Sequence, residues 1–83
     1  MGQLRSIEAI KLLADNVKLY RQGRDLSQEA LANIADMEFS QVSRIERELI
    51  NTSVSAIFLL AKALNIRPSQ LLAPISSGIN YRA

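Results

Sequence analysis

"SQEALANIADMEFSQVSRIERE", Ser27 to Glu48, is the stretch that decides the fold. Ser27 stands where a helix N-cap belongs, Gln28 and Glu29 fill a first turn, and Ala30, Leu31 and Ile34 follow at helical spacing. "ADME" interrupts that helix, because Asp36 is among the few non-glycine types that tolerate a left-handed backbone and Met37 offers an apolar plug. A further helix is predicted from about Glu38 to Glu48, with Val42, Ile45 and Leu49 on one side as core. The result is two short helices about a sharp bend. Their charge raises a question, since two bases, Arg44 and Arg47, stand against five acids, Glu29, Asp36, Glu38, Glu46 and Glu48, a net charge of −3.

Upstream, Leu4, Ile7, Ile10, Leu13 or Ala14, Val17 and Tyr20 recur every three or four positions, so one amphipathic helix is predicted over about 4–22, with Gly23 as its stop. Residues 1–24 hold Arg5, Lys11, Lys18, Arg21 and Arg24 against Glu8 and Asp15, a local excess of +3. Downstream, Asn51, Thr52 and Ser53 supply a turn and a cap. "VSAIFLLAKALNI" then makes a helix with Ile57, Leu60, Ala61 and Leu64 inward and Asn65 as its end. Pro68 suits the first turn of a last short helix, "PSQLL", before a Pro-, Gly- and Ser-containing tail. No strand pattern, repeat or low-complexity tract is present, so the fold class is all-α.

Composition narrows the function. The 83 residues suit a single small domain whose core gives only a few kcal/mol, so a partner subunit would help. With no Cys and no His, disulfides, thiolate nucleophiles, imidazole bases and the usual soft metal ligands are missing. No catalytic residue, metal site or cofactor is expected, and an enzyme is the poorest fit. No apolar run approaches the roughly 20 residues needed to span a bilayer, and the charged amino terminus does not read as a signal peptide, so a cytoplasmic protein is expected. The net charge of +2 points only weakly to an anionic partner.

A wheel at roughly 100° per residue answers the question of the acids. Ser40, Ser43, Arg44 and Arg47 fall on one face, opposite the core side and free of acid. Gln41 and Glu48 point sideways, Glu29 and Asp36 belong to the preceding helix and turn, and Glu38 sits at the helix start, where the dipole favours it. Glu46 lies about 40° from Val42 and faces partly inward, where a carboxylate needs a partner.

Gln28, Ala32, Asp36, Val42 and Ile45 match the spacing Q-x3-A-x3-G-x5-I-x2-I/L, and with "LSQEALA" ahead of "VSRIER" the chain resembles the phage repressor and Cro family of helix-turn-helix proteins, the XRE type. The resemblance covers about Leu13 to Leu72 and implies a compact five-helix, lambda-repressor-like domain. It divides the chain into 1–12, an extension of the first helix; 13–72, the helix-turn-helix DNA-binding domain; and 73–83, a tail. Asp36 replaces the family's usual Gly, and Glu48 stands where "ERG" usually ends the helix.

Roles follow from that resemblance. Arg21, near the end of the first helix, is expected to pair with Glu46 and clamp the first helix to the third. Ser27 and Gln28 are phosphate candidates at a helix N-terminus, alternatively an ordinary cap and first turn. Glu38, Phe39, Ser40, Ser43 and Arg44 are the candidates for base readout. Arg44 suits the bidentate pair with guanine, the alternative being a surface arginine near Glu48. Phe39 can only press on a thymine methyl, or else pack across the turn on the fourth helix. Glu38 accepts from cytosine N4 or caps its helix, and Ser43 permits close approach. Arg47 and Asn51 are further phosphate candidates.

The implied partner is double-stranded DNA. A single recognition helix reads only a few base pairs, so the expected reader is a homodimer on a palindromic operator, a repressor in function, pairing through the C-terminal region of Leu71, Leu72 and Ile75, the alternative being that Leu71 and Leu72, or at least one of them, close the monomer's own core. Two alternatives stay open: an antitoxin-type protein that binds a toxin as well as its operator, and a protein-interaction module on the same fold.

Overall fold

The computed structural model describes residues 5–75. Five helices follow one another: α1 (Ile7–Gly23), α2 (Gln28–Ala35), α3 (Phe39–Glu46), α4 (Val54–Leu64) and α5 (Pro68–Leu71). The described residues contain no strand. The expected all-α, five-helix architecture is therefore present.

Serine starts three of the helices. Ser6, Ser27 and Ser53 are extended in backbone, and each hydroxyl accepts from the N–H three residues on, at 3.1, 2.9 and 3.1 Å, satisfying one of the unpaired donors of a first turn. The helix ends share a device too. Asp25, Asp36, Glu48 and Asn65 all have left-handed backbone, with φ of 56°, 58°, 63° and 58°. Each is followed by an apolar residue, Leu26, Met37, Leu49 or Ile66, whose N–H donates to the carbonyl five residues back at 3.1, 2.9, 2.9 and 2.9 Å. This closes the last turn and throws an apolar side chain back over the helix end. Leu26, Met37 and Ile66 pack against the core in that way.

Several boundaries differ from the sequence reading. α1 starts at Ile7 behind its Ser6 cap, and Leu4 lies outside the described residues. Gly23 is the last helical residue, but the left-handed position is Asp25. α3 ends at Glu46 rather than Glu48. Leu49, expected in the core, is 52 % exposed, because the left-handed turn at Glu48 takes it off the helical wheel.

α2 and α3 pack most extensively on one another, α1 crosses α3 and α5, and α4 closes the far side of α2. Val17, Leu31, Ala32, Val42, Ile45, Leu60, Leu64 and Leu71 meet at the centre, essentially without exposure. Burying each of the larger ones is worth about 1.5–3 kcal/mol relative to leaving it in water. Ala32 shows why a small residue belongs there: its methyl leaves room for α2 and α3 to touch. Leu71, expected to help form a dimer surface, is fully buried and closes the monomer core, whereas Leu72 and Ile75 stay exposed.

Candidate nucleic-acid interface

α3 is held from both sides. Its inner residues Val42 and Ile45 are sunk in the core, and at its C-terminal end the Glu46 carboxylate is gripped by α1 and α2. Arg21 Nε donates to Glu46 Oε2 at 2.6 Å and Arg21 Nη2 to Oε1 at 2.9 Å, the fork arrangement that gives a charged pair its directionality. Arg21 Nη1 donates to the Leu26 carbonyl at 2.8 Å, which ties the loop before α2 into the same cluster. Gln28 Nε2 adds a third donor to the carboxylate, at 2.9 Å on Oε1.

Gln28 therefore acts within the protein. Its side-chain amide braces the first turn of α2 against the end of α3, so a phosphate contact from that turn would draw on the backbone. Ser27 spends its hydroxyl as an N-cap acceptor for Ala30. Both residues still stand at the start of an eight-residue helix whose amides and dipole favour an anion.

The outer face of α3 is open. Phe39, Ser40, Arg44 and Arg47 are exposed and Ser43 is half-buried. Phe39 is 52 % exposed, so it is not absorbed by packing across the turn. Glu38 occupies the N-cap with no side-chain capping hydrogen bond, which leaves its carboxylate free of that role. Asn51 is exposed in the loop between α3 and α4, where it has interactions within the protein. Glu46 is buried and neutralised by Arg21. Glu48, past the helix end, sits within electrostatic range of Lys11, whose ammonium is held above its ordinary pKa first by a hydrogen bond and charge from Asp15 and then by Glu48. Two of the acids are thus occupied away from the Ser40, Arg44 and Arg47 face.

Sequence reasoning missed two contacts. Gln28 to Glu46 was hidden because a glutamine in a first turn has many uses. The other is Asn16, buried in α1, whose Nδ2 donates to the Leu71 carbonyl at 3.0 Å and the Ala73 carbonyl at 2.8 Å. One polar residue among apolar neighbours was its only trace.

Among the described residues there is no group of His, Cys, Asp or Glu fit for a metal, and no helix long and apolar enough to cross a membrane.

Known proteins share this geometry. The helix-turn-helix family profile HTH_3 matches residues 17–71. Control protein C.SmaI of Serratia marcescens is 40 % identical over 62 residues, 75 % of this chain and 74 % of that protein. The crystal structure of the hypothetical transcription factor NHTF from Neisseria superposes with a TM-score of 0.79 at 33 % identity, covering 89 % of this chain and 86 % of that one. The restriction-modification controller protein C.AhdI from Aeromonas hydrophila superposes with a TM-score of 0.72 at 34 % identity over 75 % of this chain and 94 % of its own. These similarities, together with the two-helix motif at Gln28–Glu46, show that the chain belongs to the HTH_3 helix-turn-helix family, the XRE (Cro/C1) type of DNA-binding transcription regulators.

Proposed function

We propose that this protein is a sequence-specific regulator that reads a two-fold symmetric operator in double-stranded DNA as a homodimer, with residues 13–72 as the DNA-binding unit. The observation that carries the reading is the open face of α3. Ser40, Arg44 and Arg47 are presented to solvent while Glu46 on the same helix is buried against Arg21. Arg44 reads guanine from the major groove, with Glu38, Phe39, Ser40 and Ser43 lining the same approach. Arg47, Asn51 and the N-terminal turn of α2 at Ser27 and Gln28 grip the backbone. An eight-residue α3 spans few base pairs, so two copies on half-sites roughly 34 Å apart are required for useful specificity.

Repression is the proposed output, because occupying promoter DNA needs nothing beyond such binding. The relatives are named a control protein and a restriction-modification controller, which favours the genes of a restriction-modification system as the regulated set. The setting is the cytoplasm, where promoter DNA is reached.

Selection from random duplex DNA, followed by titration of the winning sequence at several salt concentrations, tests this. A palindromic site should emerge, with log affinity falling by about 0.9 per phosphate contact for each unit of log salt. Failure to enrich any sequence would overturn the reading.

A further inference from the structure

Glu38 ends the bend between α2 and α3 and occupies the N-cap of α3 with extended backbone, φ −71° and ψ 141°. A polar N-cap side chain ordinarily accepts from the first turn of its helix, as Ser6, Ser27 and Ser53 do in this chain. The Glu38 carboxylate makes no such bond. Among the described residues it enters no ion pair either. The open groove of about 330 Å³ that it lines with Asp36, Gln41, Ser53 and Ser55 holds no lysine or arginine. Phe39 and Ser40, the next two residues, are exposed on the entry turn of α3. An unpaired carboxylate thus stands at the leading end of the proposed reading helix. Phosphates repel a carboxylate placed there, so it weakens binding to every DNA unless a base offers it a donor. On the major-groove edge two groups do, the N4 amine of cytosine and the N6 amine of adenine. Guanine O6 and thymine O4 are acceptors, and against them the carboxylate is desolvated without a partner. Such a group contributes specificity by penalising the wrong base.

We infer that Glu38 is a specificity-determining residue that requires an exocyclic amine at one base of each half-site, and that methylation of that amine abolishes recognition. The inference rests on the α3 reading face proposed above. In a base pair, one hydrogen of the amine is engaged by the opposite base and the other points into the major groove. N4-methylcytosine and N6-methyladenine keep the first hydrogen and carry the methyl where the second stood. The carboxylate then loses its donor and meets an apolar group. A methyl on cytosine C5 leaves the donor in place, and the exposed Phe39 ring beside Glu38 suits an apolar neighbour. Binding therefore follows the modification state of the operator's exocyclic amines, with no second domain needed to sense it.

The test uses selected operator duplexes carrying N4-methylcytosine or N6-methyladenine at one symmetric pair of positions at a time. Each is titrated by fluorescence anisotropy with the parent protein, Glu38→Ala and Glu38→Gln. At one pair of positions the methyl should cost the parent at least about tenfold in affinity, the scale of a lost base contact, and Glu38→Ala less than about twofold. Where that base is cytosine, moving the methyl to C5 should leave the parent's affinity within about threefold. Glu38→Gln should bind random duplex DNA about threefold more tightly, since one repulsive charge is gone. It should also tolerate thymine or guanine at that position, because its amide donates as well as accepts. Both variants should melt within a few degrees of the parent, the carboxylate having no cap bond to lose. If every methyl-sensitive position stays sensitive in Glu38→Ala, or none is sensitive in the parent, Glu38 plays no part in amine readout while the regulator reading stands. If selection yields no operator, that reading falls and this inference with it.

Discussion

Arg21 and Glu46, 25 positions apart in sequence, form a two-point ion pair between α1 and α3, with Nε to Oε2 at 2.6 Å and Nη2 to Oε1 at 2.9 Å. The side chains are 13 % and 3 % exposed, so the charges depend on each other and not on water. Removing one partner strands the other. Glu46→Ala, or Arg21→Ala, should lower unfolding free energy by about 3–5 kcal/mol, a large share of the total for a domain this size. Thermal melts would show a drop of more than about 10 °C. The double variant should cost less than the two single losses added together, because no uncompensated charge remains. Melting curves superimposable on the parent would remove the clamp as a source of stability.

Left-handed backbone at Glu48 suggests an opposite change. Glutamate at φ 63° bears a steric cost that aspartate and asparagine, at Asp25, Asp36 and Asn65, bear more lightly. Glu48→Gly should therefore stabilise by about 1 kcal/mol, and more than Asp36→Gly does. Gly23 makes the converse case: it ends α1 inside the helix, and a Cβ built there meets nothing within 4 Å. Gly23→Ala should add about 0.4–1 kcal/mol by restricting the unfolded chain. Urea titrations of the three variants would rank them, and a loss of stability in Glu48→Gly would contradict the strain assigned to that turn.

These turns also mark where the sequence was legible. Helical periodicity located α1, α2 and α4 because each buries a stripe, and Ser27 and Ser53 were readable as caps because their hydroxyls have one obvious use. Asp36 could be placed in the bend since few residues accept that conformation. Leu49 was misplaced for a physical reason: a wheel extends a helix indefinitely, and glutamate rarely takes a left-handed backbone, so the sole trace of the turn was that Glu48 stands at the glycine of the family's "ERG". Leu71 and Leu72 were indistinguishable by type, and the short α5 settles that the first faces inward and the second outward. Gln28 and Asn16 escaped because their partners are 18 and 55 residues away, and long-range polar pairing leaves no local period.

Asn16 holds the end of the fold in place. Its amide donates to the Leu71 and Ala73 carbonyls, which lie in and just after α5, a helix too short to stand by itself. Asn16→Leu keeps the volume but leaves the buried Leu71 carbonyl without this donor and the Ala73 carbonyl likewise. A loss of about 1–3 kcal/mol is expected, with faster amide exchange across residues 68–73. Protection there equal to the parent's would show that the Leu71 side chain alone secures α5.

The two exposed arginines, Arg44 on α3's outer face and Arg47 at its C-cap, should separate by kind of effect. Arg44 and Arg47 have no core role, so alanine at either position should leave the melting temperature within a few degrees of the parent. On the proposed operator, Arg44→Ala should cost about 1–3 kcal/mol and relax discrimination at one base pair of each half-site, because a lost guanine contact affects a single position. Arg47→Ala should weaken every sequence alike and reduce the slope of log affinity against log salt by about 1 for each copy, since a lost phosphate contact releases one counterion fewer. Competition binding against a panel of single-base operator variants at two salt concentrations resolves both effects in one experiment. A uniform loss for Arg44→Ala would move that residue from base readout to backbone contact. Position-specific relaxation in Arg47→Ala would extend the reading face by a full turn towards the C-terminal end of α3.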